Sequence, residues 1–366
     1  MSIPKILCAA LLACLVDPAA RADVPPTTRH VIYEKSGDAY HFAVVTVPTP
    51  KPGPHQVLVH MRAISLNRGE IENLDAAKSK RDGMIAASDG AGEVAALGAN
   101  ATQFKVGDRV TSMYWRNFDH APPSRASFDG ALGSSMDGVF GDYVVVDESA
   151  LVHIPTGWSD VDAATLPTAG LTAYSAVIVQ GHAAKGKTVL VQGTGGVSTF
   201  ALLLAHAAGA DVIVTSSSDE KLAKSRTLGA THGINYKSTP EWGKQVLELT
   251  GGHGADVVVE VGGKGTLAQS LDAVAYGGTI SIVGGITGYG GDLQTLPLID
   301  KAAHVAGISV GSRKQLRELQ AFMTTHHVKP LVERVYPVEQ LDAAIEQLRS
   351  GQFMGKIVVT LAEPHK

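Results

Sequence analysis

The chain has 366 residues, 45% of them hydrophobic, which is enough for two domains with apolar cores and excludes a disordered chain. A net charge of -4 gives no overall basic surface, which argues against a nucleic-acid partner. Forty glycines beside eight Phe and three Trp suit an α/β protein with tight turns and close helix-to-strand contacts.

At the N-terminus, Lys5 precedes the apolar run 6–16, and Ala20 and Ala22 precede Asp23. This pattern predicts a secretory signal peptide over residues 1–22, and so a periplasmic or secreted protein, with a cytoplasmic one as the alternative. The run is about half the roughly 20 residues that a membrane-spanning helix needs, so no membrane span is expected. Leu11-Leu12-Ala13-Cys14 also resembles a lipoprotein processing box, and a lipid anchor is the less favoured alternative. Both cysteines, Cys8 and Cys14, lie in this segment. A chain cleaved after Ala22 has no thiol for a disulfide, a nucleophile or a metal site.

From residue 30 to 47, β-rich runs surround the turn Ser36-Gly37-Asp38, and the Pro-rich stretch 48–54 leads into an alternating strand over 56–62. Further strands are predicted at 92–97, 109–113 and 143–146. A long Gly-, Ser- and Pro-containing loop over 115–140 is of a length usually tied to function or disorder.

After Pro155 the pattern changes, with helices predicted near 160–164 and over 171–180. Strands at 188–192, 211–215, 233–236, 256–261 and 279–283 then alternate with helices at 199–208, 219–228, 241–250 and 266–274. That alternation predicts a parallel doubly wound sheet. The tail carries helices at 314–325 and 338–348 and a last strand at 356–361.

Strand 188–192 runs into Gly193-Thr194-Gly195-Gly196-Val197-Ser198 and then a helix. Glycines there allow a tight turn and close approach of a pyrophosphate, while the helix N-terminus supplies N–H groups to it. The third glycine position holds Ser198, so the turn is read with its βαβ context as a dinucleotide site. Where an NAD-specific site has a carboxylate at the end of the second strand, this chain has Thr215-Ser216-Ser217-Ser218. Hydroxyl groups of Ser216 and Ser217 leave room for a 2′-phosphate and can donate to it, and Lys221 supplies a positive charge one turn later. NADP(H) is therefore the expected cofactor. One of the serines is also expected to cap the following helix.

These residues, with Gly90-Ala91-Gly92-Glu93-Val94, Val106-Gly107-Asp108-Arg109-Val110 and Gly355-Lys356-Ile357-Val358, make the chain resemble the medium-chain dehydrogenase/reductase superfamily from about residue 30 to 362. Within it the chain looks most similar to quinone oxidoreductases and to zinc-free members grouped with zinc-type alcohol dehydrogenases. The resemblance implies a GroES-like β-rich catalytic domain over 28–165 and 312–366 and a Rossmann NADP-binding domain over 166–311, with the active site between them. It places Tyr236 near the 2′-phosphate, Gly284, Gly285 and the segment 307–311 near the nicotinamide, and Lys356 among the cofactor-binding residues. A homodimer is the expected assembly.

Zinc-dependent members of the superfamily have Cys, His-Glu and Cys at positions that here hold Asn67, Ser88-Asp89 and Thr168. The cysteines of a structural zinc lobe are missing too, with His120 the one soft side chain in 115–140 and His326-His327 read as a surface helix end. No metal is expected, since a zinc site needs at least three protein ligands in fixed geometry. Substrate oxygen must then be polarised by hydrogen-bond donors, and Asn67 and Thr168 are the candidates. Arg68, Glu70 and Asp89 are charged neighbours suited to proton delivery. The expected activity is hydride transfer between NADPH and a small carbonyl, enone, quinone or alcohol. A non-catalytic NADP(H)-binding sensor or structural protein is the alternative.

Overall fold

The computed structural model describes residues 24–75, 81–290 and 293–361, so the leader reading lies outside the described residues. β1 (Thr27–Ser36) and β2 (Ala39–Pro48) form an antiparallel hairpin in which Val31, Tyr33 and Tyr40 face the core. A seven-stranded sheet follows. It takes β3 (Gln56–Leu66), β4 (Gly90–Leu97), β5 (Arg109–Ser112), β6 (Tyr143–Asp147) and β7 (Leu151–His153) from the first part of the chain. A short helix, α1 (Arg68–Asp75), leaves the end of β3, a helix that the sequence reading did not anticipate because it has few apolar positions.

Two helical segments, α2 (Asp160–Ala164) and α3 (Leu171–Tyr174), lead into the second half. The single helix expected over 171–180 is divided. Its second part, Ser175–Gln180, and the turn before it, Leu166–Gly170, wind as π-helix, a form often found at functional sites. In the first of these turns the Thr168 N–H donates to Asp89 Oδ2 (3.0 Å) instead of to the preceding helical turn.

The doubly wound unit comprises β8 (Thr188–Gln192), α4 (Gly196–Ala207), β9 (Asp211–Ser216), α5 (Asp219–Thr227), β10 (His232–Asn235), α6 (Trp242–Leu249), β11 (Ala255–Glu260), α7 (Leu267–Ala273), β12 (Val274–Ile282), α8 (Thr295–Lys301) and β13 (His304–Gly307). All neighbouring strands are parallel in the order β10-β9-β8-β11-β12-β13. The order reverses at β8 and β11, the point beyond whose carboxyl ends ligands bind in such sheets. β8 and β11 are buried apolar runs, as strands covered on both faces must be. The four-residue β13 was not anticipated, being short and largely exposed at the sheet edge.

The tail holds α9 (Arg313–Thr325), β14 (Val332–Pro337), α10 (Leu341–Ser350) and β15 (Lys356–Thr360). Leu316, Leu319 and Met323 of α9 pack with the core of the doubly wound unit, whereas β14 and β15 return to the first sheet. β15 pairs antiparallel with β3, setting Ile357 against Leu66 and Val359 against Ile64. That register brings Lys356 beside the end of β3. No helix among the described residues is long and apolar enough to cross a membrane.

Candidate active site

At the end of β8 the glycine turn begins with Gly193 at φ +72, a conformation that disfavours any side chain. The Gly193 N–H donates to the Thr215 carbonyl (2.8 Å), which fixes the turn to the neighbouring strand. At Gly195 a Cβ would meet nothing within 4 Å, so the turn opens to solvent there. At Gly196 it would lie 2.7 Å from Lys356 Cδ, so Gly196 lets the lysine stem pass over the start of α4. Gly355 N–H donates to the Thr194 carbonyl (3.1 Å), a second tie between tail and turn. Ser198, in the third glycine's place, is buried and donates its hydroxyl to the Gln192 carbonyl (2.7 Å). Its polar atom is thus spent on the strand end, and Val197 stands half-buried beside it. This cradle of free backbone at a helix N-terminus fits a dinucleotide pyrophosphate.

Behind it, Gln192 and Glu260 hold the ends of β8 and β11 together, a network that sequence reading missed because a strand-end Gln and Glu carry no motif. Glu260 is fully buried and accepts from Gln192 Nε2 (2.7 Å), Gly262 N (2.8 Å), Gly263 N (2.9 Å), Thr266 Oγ1 (2.5 Å) and Ser270 Oγ.

At the second strand's end, Ser216 is buried and Ser217 half-buried. Ser218 is the capping serine: its hydroxyl accepts from the Lys221 N–H (3.3 Å) at the start of α5. Tyr236 N–H donates to the Ser216 carbonyl (3.1 Å), which places Tyr236 and Ser216 at one corner. Lys221 extends away from α5 to donate to the Gly351 carbonyl (3.0 Å), and partial burial holds its ammonium below the ordinary lysine range. Gly284 and Gly285 follow β12, beside the segment 261–263. The segment 307–311 meets the 115–140 loop through Trp115, whose indole N–H donates to the Ser309 carbonyl (3.2 Å). That loop is packed into the protein, with Phe118, Leu132, Val139 and Phe140 buried.

Asn67, Glu70, Ser88, Asp89, Thr168 and Lys356 converge from four separate stretches of chain. Lys356 is 2% exposed, and its ammonium donates to the Leu66 carbonyl (2.6 Å) and to Asn67 Oδ1 (2.5 Å). This fixes the Asn67 amide with its oxygen toward the cation, and leaves the Nδ2 donor buried without a partner. An orphaned buried donor costs about 1–3 kcal/mol, so it marks a place for an acceptor. Glu70, 4% exposed, reaches back to accept from the Asn67 N–H (2.5 Å), half of a capping box. Burial first and the Asp89 carboxylate second push the Glu70 carboxyl up to about 7, against the pull of the Asn67 N–H and the Lys356 ammonium. Desolvation lowers the Lys356 ammonium, opposed by Asp89 and Glu70.

Asp89, with no exposed surface, accepts from Thr168 Oγ1 (2.6 Å) and Ser88 Oγ (2.7 Å) at Oδ1 and from Thr168 N at Oδ2. Thr168 itself is half-buried. Ser88, Asp89 and Thr168 are thus hydrogen-bonded together, and Asn67 joins the same cluster through Glu70 and Lys356. Sequence reading did not foresee that the Lys356 ammonium bonds Asn67; the β3–β15 register decides it. Arg68 by contrast is exposed and pairs with Glu72 (3.0 Å) along α1.

A doubly wound unit with a glycine turn that fits a dinucleotide, set against a β-rich domain with a buried polar cluster between them, points to a dehydrogenase or reductase. The comparisons with known proteins agree. Residues 53–156 match the family described as alcohol dehydrogenase GroES-like domain, and residues 196–325 match that described as zinc-binding dehydrogenase. A zinc-type alcohol dehydrogenase-like protein of Schizosaccharomyces pombe is 39% identical over 85% of this chain and 92% of its own length. A quinone oxidoreductase of Pseudomonas aeruginosa is 36% identical over 65% of this chain and 67% of its own. A crystal structure of a putative alcohol dehydrogenase from Sinorhizobium meliloti, 36% identical, superposes with a TM-score of 0.86 over 92% of this chain and all of that one. The chain belongs to the medium-chain dehydrogenase/reductase superfamily, and it is an oxidoreductase of the nicotinamide-dependent kind.

Proposed function

We propose that the protein is an NADPH-preferring reductase that transfers hydride between the nicotinamide and a small carbonyl, enone, quinone or alcohol without a metal ion. The observation that carries this reading is the Lys356–Asn67 contact. A protein ammonium sits against the side chain at the position where zinc-dependent members have their first ligand. Asn67, Ser88-Asp89 and Thr168 supply no Cys or His, and a dication beside that ammonium would be repelled, so the donor set does not suit zinc.

Gly193, Thr194, Gly195, Gly196 and Val197 would hold the pyrophosphate, and Gly284, Gly285 and the segment 307–311 the nicotinamide. Ser216, Ser217 and Tyr236 would border the 2′-phosphate, with Lys221 near enough to exchange its Gly351 contact for it. When bound, the reduced dinucleotide supplies the hydride. Asn67 Nδ2 donates to the substrate oxygen, and Thr168 flanks the same space. The chain's part is thus to orient the oxygen and stabilise the charge that develops on it.

Titration of the purified protein with NADPH and NADH, followed by nicotinamide fluorescence, tests the cofactor reading. Tighter NADPH binding is expected, and Ser216→Asp should shift the preference toward NADH by about tenfold or more through repulsion of the 2′-phosphate. Unchanged selectivity in that variant would overturn the assignment of the corner. A homodimer is proposed through the edge strand β13 and the preceding helix α8, in which Leu296 and Ile299 are 65% and 73% exposed; sedimentation equilibrium at the monomer mass would count against it. Residues 1–22 are proposed to direct export. Fractionation of cells expressing the full chain decides this, because a cytosolic protein with Met1 retained is incompatible with it.

A further inference from the structure

Lys356 opens a strand whose first residues are tied on both sides. Gly355 takes φ +90, and a Cβ there would lie 2.2 Å from the Leu331 carbonyl oxygen. The Gly355 N–H donates to the Thr194 carbonyl (3.1 Å) and the Lys356 N–H to that of Leu331 (2.9 Å), so the direction in which the lysine leaves the backbone is set. Its stem then crosses Gly196, and the ammonium lies beyond the glycine turn, at the end of β3. Two of its three protons are engaged there, by the Leu66 carbonyl (2.6 Å) and Asn67 Oδ1 (2.5 Å). The lysine thus turns its apolar stem to the glycine turn and its charge to Asn67.

An asparagine amide has a donor end and an acceptor end, and the groups around it decide which way each faces. Glu70 and Asp89 are buried carboxyls, whose oxygens accept from an NH2 group. Of the three ionisable groups in the cluster, Lys356 alone attracts the amide oxygen. With Oδ1 held on the ammonium, Nδ2 is left buried and without a partner. Without the ammonium the amide would turn over, giving its NH2 to a carboxyl oxygen and showing the substrate an oxygen that repels its own.

We propose that Lys356 is a positioning residue and not a ligand of the dinucleotide: it locks Asn67 with the donor outward and so restricts the site to substrates that present a lone-pair oxygen there. This rests on the reading that the substrate oxygen binds Asn67 Nδ2. Lys356 touches neither the substrate nor the pyrophosphate, and its effect on the reaction passes through Asn67 alone.

The lysine ammonium resonances of the ligand-free protein, observed by NMR, test the contact apart from activity. A slowly exchanging signal is expected, because the ammonium is buried and hydrogen-bonded. It should be absent in Lys356→Met and displaced in Asn67→Ala. A Lys356 signal that Asn67→Ala leaves unmoved overturns the lock.

A double-mutant cycle tests the route. With NADPH and 2-cyclohexenone, Asn67→Ala should lower kcat about 100-fold, the scale of a lost oxyanion donor, and Lys356→Met about tenfold or more. Adding Lys356→Met to Asn67→Ala should lower it no further, because the lysine then has no amide to hold. NADPH affinity, followed by nicotinamide fluorescence, should stay within about twofold of wild type in all three. Effects on kcat that multiply overturn the positioning role, and so does a loss of NADPH affinity of about tenfold or more in Lys356→Met, which would return the lysine to the cofactor. Should Lys356→Met fail to fold with its carboxyls unbalanced, Lys356→Met/Glu70→Gln removes one charge of each sign and, compared with Glu70→Gln alone, yields the same cycle. If Asn67→Ala lowers kcat while Lys356→Met does not, the positioning role is wrong and the reading of the pocket stands. If Asn67→Ala leaves kcat unchanged, the pocket reading is wrong and the positioning role falls with it.

Discussion

Two buried carboxylate centres lie on either side of the dinucleotide cradle, and their differences separate support from chemistry. Glu260 has no exposed surface and accepts five hydrogen bonds from neutral donors within its own unit. Each donor is local to the ends of β8 and β11, so the group is saturated and has one arrangement. Glu70 and Asp89 are equally buried, yet they share an ammonium delivered by β15 and leave Asn67 Nδ2 without a partner. The first centre satisfies its charge with fixed dipoles. The second retains an unspent donor, a proton to place and an opening at Thr168.

Removing the acceptor in Glu260→Ala should have the largest effect on stability. Five donors would be orphaned at once, and a loss of about 3 kcal/mol or more is expected by urea denaturation, with the pH profile of activity unmoved. A loss below about 1 kcal/mol would mean that water replaces the carboxylate easily and that the two centres are alike.

Glu70→Gln probes the other centre. With its carboxyl pushed up to about 7 in the folded chain, against 4.5 ordinarily, Glu70 binds more protons folded than unfolded between those values. Its contribution to stability is therefore fully present below about pH 4.5 and is lost as pH rises through about 7, a swing of at most about 3 kcal/mol. The glutamine variant keeps an acceptor for the Asn67 N–H and should flatten this dependence, becoming more stable than wild type near pH 8. Identical pH–stability curves for the two proteins would place the titration elsewhere.

Arg68→Ala supplies the contrast of an exposed charge. Its pairing with Glu72 is solvent-exposed on α1, so a change under about 0.5 kcal/mol is expected. kcat within about twofold of wild type would set Arg68 apart from proton delivery, and a larger fall would return it to the pocket.

Much of this was legible in the sequence because it depends on local rules. Alternating apolar strands and helices announced a doubly wound unit, and Gly193, whose positive φ a side chain would resist, marked its tight turn after β8. Ser198 satisfies itself on Gln192 without disturbing the fold, so a missing third glycine did not alter the reading. The short edge strand β13 and helix α1 escaped because four exposed residues, or a mostly polar turn and a half of helix, carry little periodicity. The π-helical turn at Thr168 escaped for another reason: its cause, Asp89, lies 79 residues earlier in the chain.

By itself, then, the sequence determined the class of fold, the glycine turn after β8 and the hydroxyl-bearing corner after β9. These follow from residue type and short spacing. Only the tertiary structure decided that Lys356, 289 residues from Asn67, should bond it. That contact requires β15 to lie antiparallel to β3 in one register and Gly196 to leave room for the lysine stem. The energies that set such a register are spread over whole strands and cores, and no local pattern of residues states them in advance.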